Sequence, residues 1–334
     1  MRTVHLIVPE GFDDPLRPSG GNTFDRRVRD GLAVDRWDVR VHEVNGSTDL
    51  ADAVLRIADG GVVLIDGLVA SPYPQVLVPE ADRLRLVVLM HMPVWTTAEG
   101  RVLSAAQCVL TTSNWTRRML LERYALRSGS VRVAEPGADR ADPAARSPLG
   151  GEFLAVASVT RAKGHDVLLD ALATLDDLRW RCVCAGSLDR DQLFADDVRR
   201  RARHGAMRGR VRFAGAQTPR ELARSYGNAD LLVLPSRSET YGMVVTEALA
   251  RGVPVVAADV GGVPEALGYG ADGSRPGLLV PPDDPIALAE ALRTWLRDAD
   301  LRGRLRRAAR QRRAALPSWS ATTSVVAQAL AEAA

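Results

Sequence analysis

The sequence predicts an α/β chain made of two units, each a parallel sheet with crossover helices. Three observations carry this. Short apolar runs of strand length alternate with stretches of helical periodicity along the whole chain. From Glu135 to Gly151 the composition shifts to Pro, Gly, Ala, Asp and Arg, as in a connecting segment. The 334 residues suffice for two domains of ordinary size. The expected division is 1–140, a linker 141–151, 152–316, and a last helix 317–334 that crosses back to the first unit.

The first strand is Thr3 to Val8, apolar enough to be buried in a parallel sheet. A polar loop follows, ending Pro18-Ser-Gly-Gly-Asn-Thr23, and Phe24, Val28 and Leu32 then mark a helix face. A Gly20-Gly21 turn between first strand and first helix lets a phosphate approach the backbone closely. Its spacing is not Gly-x-Gly-x-x-Gly, so no nicotinamide cofactor is implied. Further strands are expected at Trp37–Val44, Val62–Ile65, Leu86–Met90 and Val109–Thr112, with helices at Leu50–Ala58, Pro74–Leu84 and Asn114–Tyr124. In such sheets ligands collect at the carboxyl ends of strands. His91, in Leu89-Met-His-Met-Pro93, stands at one such end and Asp66 at another. Asn114 is expected to cap its helix, and Glu135 to be a surface residue.

The second unit opens with a strand at Phe153–Ser158, followed by Thr160-Arg-Ala-Lys-Gly164 and a helix. A lysine before a glycine at a helix start is a phosphate-binding arrangement. Strands at Trp180–Ala185 and Val211–Ala214 follow, the second leading to Gly215-Ala-Gln-Thr-Pro219 with Thr218 as a cap. Asp189 and Asp191 form an Asp-x-Asp, read as helix-capping residues and not as a metal site. Helices Pro285–Asp298 and Leu301–Leu316 come late, and the latter carries seven arginines. A solvated face is the favoured reading of that helix over contact with an anionic membrane, because its apolar side is small and alanine-rich.

The chain centres on Ser236-Arg-Ser-Glu-Thr-Tyr-Gly-Met-Val-Val-Thr-Glu247, between the apolar run Leu231–Leu234 and the strand-like Val253–Ala257. With a helix starting near Gly242, the amides of Gly242, Met243 and Val244 are first-turn donors suited to a phosphate. Glu247 then falls on the second turn, roughly 7 Å along the axis, and Glu239 precedes the helix. Carboxylates accept hydrogen bonds from vicinal hydroxyls and repel phosphate. Two glutamates eight apart are, taken alone, more simply a surface loop residue and a helix residue. The Ser-x-x-Glu-x-Tyr-Gly context and the strand-loop-helix setting favour instead a layout that matches one ligand: a sugar on Glu239, a diphosphate on the amides, and a ribose diol on Glu247.

The bulk numbers narrow the partners. Net charge is +3 from 44 basic and 41 acidic residues, too balanced to demand nucleic acid. Cys108, Cys182 and Cys184 lie in apolar strand-like runs without metal-ligand spacing, so buried free thiols are expected. No apolar run reaches the length of a membrane helix, and the first residues enter a strand without a leader pattern. A cytoplasmic protein is the expectation.

The central segment resembles the Glu-x7-Glu motif of retaining family 4 glycosyltransferases, which have the GT-B fold. The resemblance extends to Lys163-Gly164, Gly261-Gly-Val-Pro-Glu265 and Gly277-Leu-Leu-Val280, and more weakly to the first half. It implies two Rossmann-like domains with parallel sheets facing an interdomain cleft, and transfer of a sugar with retention and without a metal or other cofactor. The donor would be a UDP- or GDP-linked sugar; the acceptor would be a hydroxyl of a glycan, a lipid-linked molecule or a small molecule. By the same resemblance His91, Glu239 and Lys163 serve catalysis. Gly20, Gly21, Arg161, Lys163, Ala216, Glu239, Tyr241, Gly242, Met243, Val244 and Glu247 bind the donor. Many family members carry an arginine six residues before the lysine; here that residue is Ala157, and Arg161 either replaces it or is a solvated loop residue. Two rivals stay open: a nucleotide-sugar 2-epimerase on the same fold, and an inactive GT-B binding protein.

Overall fold

A computed structural model describes residues 2–14 and 19–334, so Pro18 of the expected polar loop lies outside the described residues. The chain divides into two compact units, Met1–Gly137 with Pro317–Ala334, and Ala138–Leu316. Each holds one six-stranded sheet, and every strand pairing in both sheets is parallel.

In the first unit the strands are β1 (Arg2–Pro9), β2 (Trp37–Val44), β3 (Val62–Asp66), β4 (Arg85–Met90), β5 (Cys108–Thr111) and β6 (Val131–Val133). The crossovers carry α1 (Gly20–Val34), α2 (Ser47–Leu55), α3 (Gly67–Ala70), α4 (Pro74–Glu80), α5 (Thr97–Ala105) and α6 (Asn114–Tyr124). The sheet order is β2-β1-β3-β4-β5-β6, so the winding reverses between β1 and β3. Strands β3 and β5 are buried throughout, which is why they read as unbroken apolar runs.

The second unit has β7 (Glu152–Val156), β8 (Arg181–Ala185), β9 (Val211–Gly215), β10 (Leu231–Leu234), β11 (Val255–Ala258) and β12 (Gly277–Val280). Its helices are α7 (His165–Ala173), α8 (Gln192–Arg201), α9 (Pro219–Gly227), α10 (Met243–Leu249), α11 (Val263–Leu267), α12 (Pro285–Arg297) and α13 (Ala299–Ala314). The order is β12-β11-β10-β7-β8-β9, with its reversal between β7 and β10. Trp295 of α12, fully buried, anchors the core, and its indole N–H donates to the Gly150 carbonyl at 2.7 Å. The Pro-rich stretch is bonded to this unit from Ala141 onward: the Ala141 carbonyl accepts from Arg313, Ala144 and Ala145 donate to the Arg251 and Gly227 carbonyls, and Ser147 donates to the buried Asp230.

The last helix, α14 (Trp319–Ala333), packs on α1 of the first unit. Trp319 meets Phe24 edge-on at 5.7 Å, and Gly31 leaves room for Thr323, whose Oγ1 would lie 2.3 Å from a Cβ there.

Some local expectations shift. Ser113, not Asn114, caps α6, because its hydroxyl reaches the Thr116 amide at 3.0 Å. Glu135 is half-buried, its carbonyl taking the Thr322 hydroxyl. Thr218 caps α9 through a reciprocal box with Glu221. Asp191 caps α8, the role assigned to it. The cysteines are free and buried. Among the described residues no helix is long and apolar enough to cross a membrane.

Candidate functional site

In the second unit the reversal of strand order makes β7 and β10 neighbours, so the loops leaving their carboxyl ends run side by side. One carries Lys163, the other Glu239. Lys163 Nζ donates to Glu239 Oε1 at 2.7 Å, and the buried Ser236 hydroxyl donates to the same oxygen at 2.9 Å. Two residues assigned separately to phosphate and sugar thus form one ion pair.

Backbone fit holds the two loops together. Gly164 has φ 66°, and a Cβ there would lie 2.1 Å from the Pro235 carbonyl oxygen. Arg237 stitches the same seam. Its amide donates to the Ala162 carbonyl at 2.8 Å, and its guanidinium grips Asp166 with two bonds at 2.9 and 3.0 Å. Burial would raise the Asp166 carboxyl, but Arg237 outweighs it and holds it below the usual carboxylate range. Sequence reasoning missed Arg237, although it sits inside the central stretch.

Gly242, with φ 92°, is the N-cap of α10, and Met243 and Val244 open the helix as expected. The helix is seven residues long, so its aligned dipole is small and direct amide donation matters more. Tyr241 is buried. Glu247 is half-buried and accepts from the hydroxyl of Tyr226 at 2.7 Å. Burial raises its carboxyl above the usual range, against the opposing pull of Tyr226 and Arg251. Arg161 is exposed, its guanidinium 5.4 Å from the Phe194 ring centroid. Ala216 is exposed just past β9. Ala157, where the family has arginine, donates its amide to the Ala185 carbonyl, and the neighbouring Gly186 has no space for a Cβ.

In the first unit Gly20 and Gly21 are the first two residues of α1 and not a turn before it. The reason is Ser19, whose hydroxyl takes the Asn22 amide at 3.0 Å and starts the helix earlier. The missing side chain at Gly21 admits His91: a Cβ would lie 3.3 Å from its ring. His91, at the end of β4, is buried, and its Nε2 lies 2.7 Å from Oδ1 of Asp25, a fully buried residue of α1. Asp66, which caps α3 through the Leu68 amide, comes within 3.8 Å of the same nitrogen.

Two of these groups are shifted by their surroundings, His91 and Asp66. Burial opposes the imidazolium of His91, but Asp25, then Asp66, outweigh it and hold it near pKa 9. Burial first, and the carboxylate of Asp25, push Asp66 up to about 7 against the pull of His91. Their ligand atoms converge within 4.8 Å, as a metal site's would. The 2.7 Å contact is nonetheless a hydrogen bond's, since two ligands of a tetrahedral zinc stand roughly 3.3 Å apart. Asp25 was missed because an aspartate inside a helical stretch gives no local sign of what it faces.

The loop after His91 has its own buried anchor, also missed. Glu99 of α5 accepts from the amides of Val94 and Trp95, both at 2.9 Å, from Ser71 Oγ at 3.0 Å and from the Tyr124 hydroxyl at 2.6 Å.

Residues 150–312 match the family described as "Glycosyl transferases group 1". The D-inositol 3-phosphate glycosyltransferase of Corynebacterium jeikeium is 34% identical over 230 residues, 61% of this chain and 52% of that protein. The protein of the same description from Kineococcus radiotolerans is 32% identical over 316 residues, 87% of this chain and 66% of that protein. The chain spans about half the length of the first curated relatives it matches. A glycosyltransferase from Rickettsia africae has a TM-score of 0.79 at 18% identity, covering 99% of this chain and 98% of its own. Anabaena HepE in complex with UDP-glucose gives 0.78 at 17%, covering 99% and 100%. By fold this chain is therefore a GT-B protein, and over residues 150–312 it carries the sequence pattern of the group 1 glycosyl transferases.

Proposed function

We propose that this chain is a retaining, metal-independent glycosyltransferase that moves a sugar from a UDP- or GDP-linked donor to a hydroxyl acceptor. The observation that carries the reading is the Lys163–Glu239 pair, set where strand order reverses, beside the amides that open α10. The family match over 150–312 and the UDP-glucose bound by HepE support a nucleotide-sugar donor.

In this reading the bond between the anomeric carbon and the diphosphate oxygen breaks as the acceptor oxygen bonds the same face. The acceptor proton passes to the departing phosphate. Lys163, a flexible ammonium with three donors, turns one toward that phosphate while Glu239 takes sugar hydroxyls. The amides of Gly242, Met243 and Val244 receive the remaining charge, stabilising it as it develops. Glu247 takes the ribose diol. His91, held charged by Asp25, serves the sugar, as the resemblance implies; Gly20, Gly21, Arg161, Ala216 and Tyr241 keep the parts it gives them.

The test is incubation with UDP- and GDP-sugars in the presence of EDTA and a panel of acceptors. The panel includes D-inositol 3-phosphate, named in the description of the curated relatives. A product whose anomeric proton coupling matches the donor's configuration is expected. Inversion, or a strict metal requirement, would overturn the reading. Donor consumption without any acceptor would point instead to a 2-epimerase.

A further inference from the structure

Tyr226 has no part in the chemistry above, yet it is bound to a residue that does. It lies near the end of α9, is 1% exposed, and its hydroxyl points at Glu247 Oε2 at 2.7 Å, with the Val244 carbonyl further off at 3.4 Å. A phenol has one proton, so the shorter contact defines the donation, and Glu247 is the acceptor. Arg251 closes the group from the other side. Its guanidinium lies 4.9 Å from the Tyr226 ring centroid, and its Nη1 donates to the Glu247 carbonyl at 2.9 Å.

A glutamate carries three rotors, and placing its carboxylate against two ribose hydroxyls costs side-chain entropy each time a ligand binds. A buried phenol that fixes one oxygen removes most of that cost beforehand. We infer that Tyr226 is a positioning residue: it holds the Glu247 carboxylate for the ribose diol and so gives the site its preference for ribo- over 2′-deoxynucleoside diphosphates. This rests on the reading of Glu247 as the ribose contact. The direction of the carboxyl's shift agrees, since burial raises it and the Tyr226 hydrogen bond works to keep it ionised.

The test is calorimetric binding of UDP, GDP and their 2′-deoxy forms to the wild type, Tyr226→Phe and Glu247→Ala. The readout is the ratio of the deoxy and ribo dissociation constants. A lower folded fraction changes both constants alike, so the ratio is unaffected by partial unfolding of a variant. The wild type is expected to favour the ribo form by about tenfold, the scale of a hydrogen bond to a charged group. Glu247→Ala should abolish the preference. Tyr226→Phe, which keeps the ring under Arg251, should cut it at least threefold. If Glu247→Ala abolishes the preference and Tyr226→Phe leaves it whole, the positioning role is wrong and the reading of Glu247 stands. If the wild type shows no ribo preference, or binds neither nucleotide, the ribose reading itself fails and Tyr226's role with it.

Discussion

Lys163 Nζ and Glu239 Oε1 stand 2.7 Å apart although 76 residues separate them along the chain. The lysine side chain is 29% exposed and the glutamate 13%, so the pair sits at the edge of solvent and contributes little to folding, about 1 kcal/mol or less. Lys163→Ala and Glu239→Ala should each lower turnover by roughly 10²–10³-fold or more, with melting temperatures close to the wild type's. Steady-state kinetics beside thermal melts check this. Near-normal turnover in either variant would show that the pair is not the donor site.

The cluster at His91 predicts a pH dependence of stability. His91 has its folded pKa raised from 6.5 to about 9, so the stability it contributes is complete below pH 6.5 and is lost as pH rises through 9. Asp66, raised from 3.8 to about 7, acts in the same direction at lower pH: stability falls as its buried carboxyl is forced to ionise. Between pH 6.5 and 9 the loss from His91 should be roughly 2–3 kcal/mol. Denaturant melts across that range, wild type against His91→Asn, should show a steeper decline in the wild type. Parallel curves would mean that Asp25 does not hold a charged imidazole.

Glu99 is fully buried and receives four hydrogen bonds, two of them from the backbone of the loop following His91. Alanine there would leave those donors without an acceptor. The expected loss is roughly 3–5 kcal/mol, read by chemical denaturation, with glutamine costing less because it restores one acceptor. An alanine variant as stable as the wild type would show that the loop is held by other means.

Gly261 has φ 56°, and a Cβ there would lie 1.7 Å from the Glu239 carbonyl oxygen. Gly261→Ala must therefore displace the Glu239 loop, beyond the roughly 1–2 kcal/mol that the left-handed conformation alone costs. The melting temperature should fall and nucleoside diphosphate binding weaken together. Unchanged binding by calorimetry would mean that the loop tolerates a shift without moving Glu239.

Much of the fold was legible because its signals are local. Buried strands such as β3 and β10 announce themselves as unbroken apolar runs, and Thr218 with Glu221 spells a helix start within four residues. The short α3, the edge strand β6 and the early start of α1 escaped, because each depends on one capping contact or a distant neighbour. Lys163, Glu239 and Glu247 in the second unit and His91 in the first were singled out in the sequence by the family resemblance together with their places in strand-end loops or on the helix beside one. Asp25, Tyr226, Arg237 and Glu99 were not, since each matters only through what it touches.

The sequence by itself determined most of the strands and helices, and which loops carry charge, because periodicity and capping act within a turn or two of chain. Strand order is decided by how whole crossovers pack against both faces of a sheet. That order sets β7 beside β10, and so joins Lys163 to Glu239. Tertiary packing likewise brought Asp25 to His91 across 66 residues and Tyr226 to Glu247 across 21. No local pattern encodes such pairs: their partners meet only after long-range burial has excluded water and left each polar group to find the other.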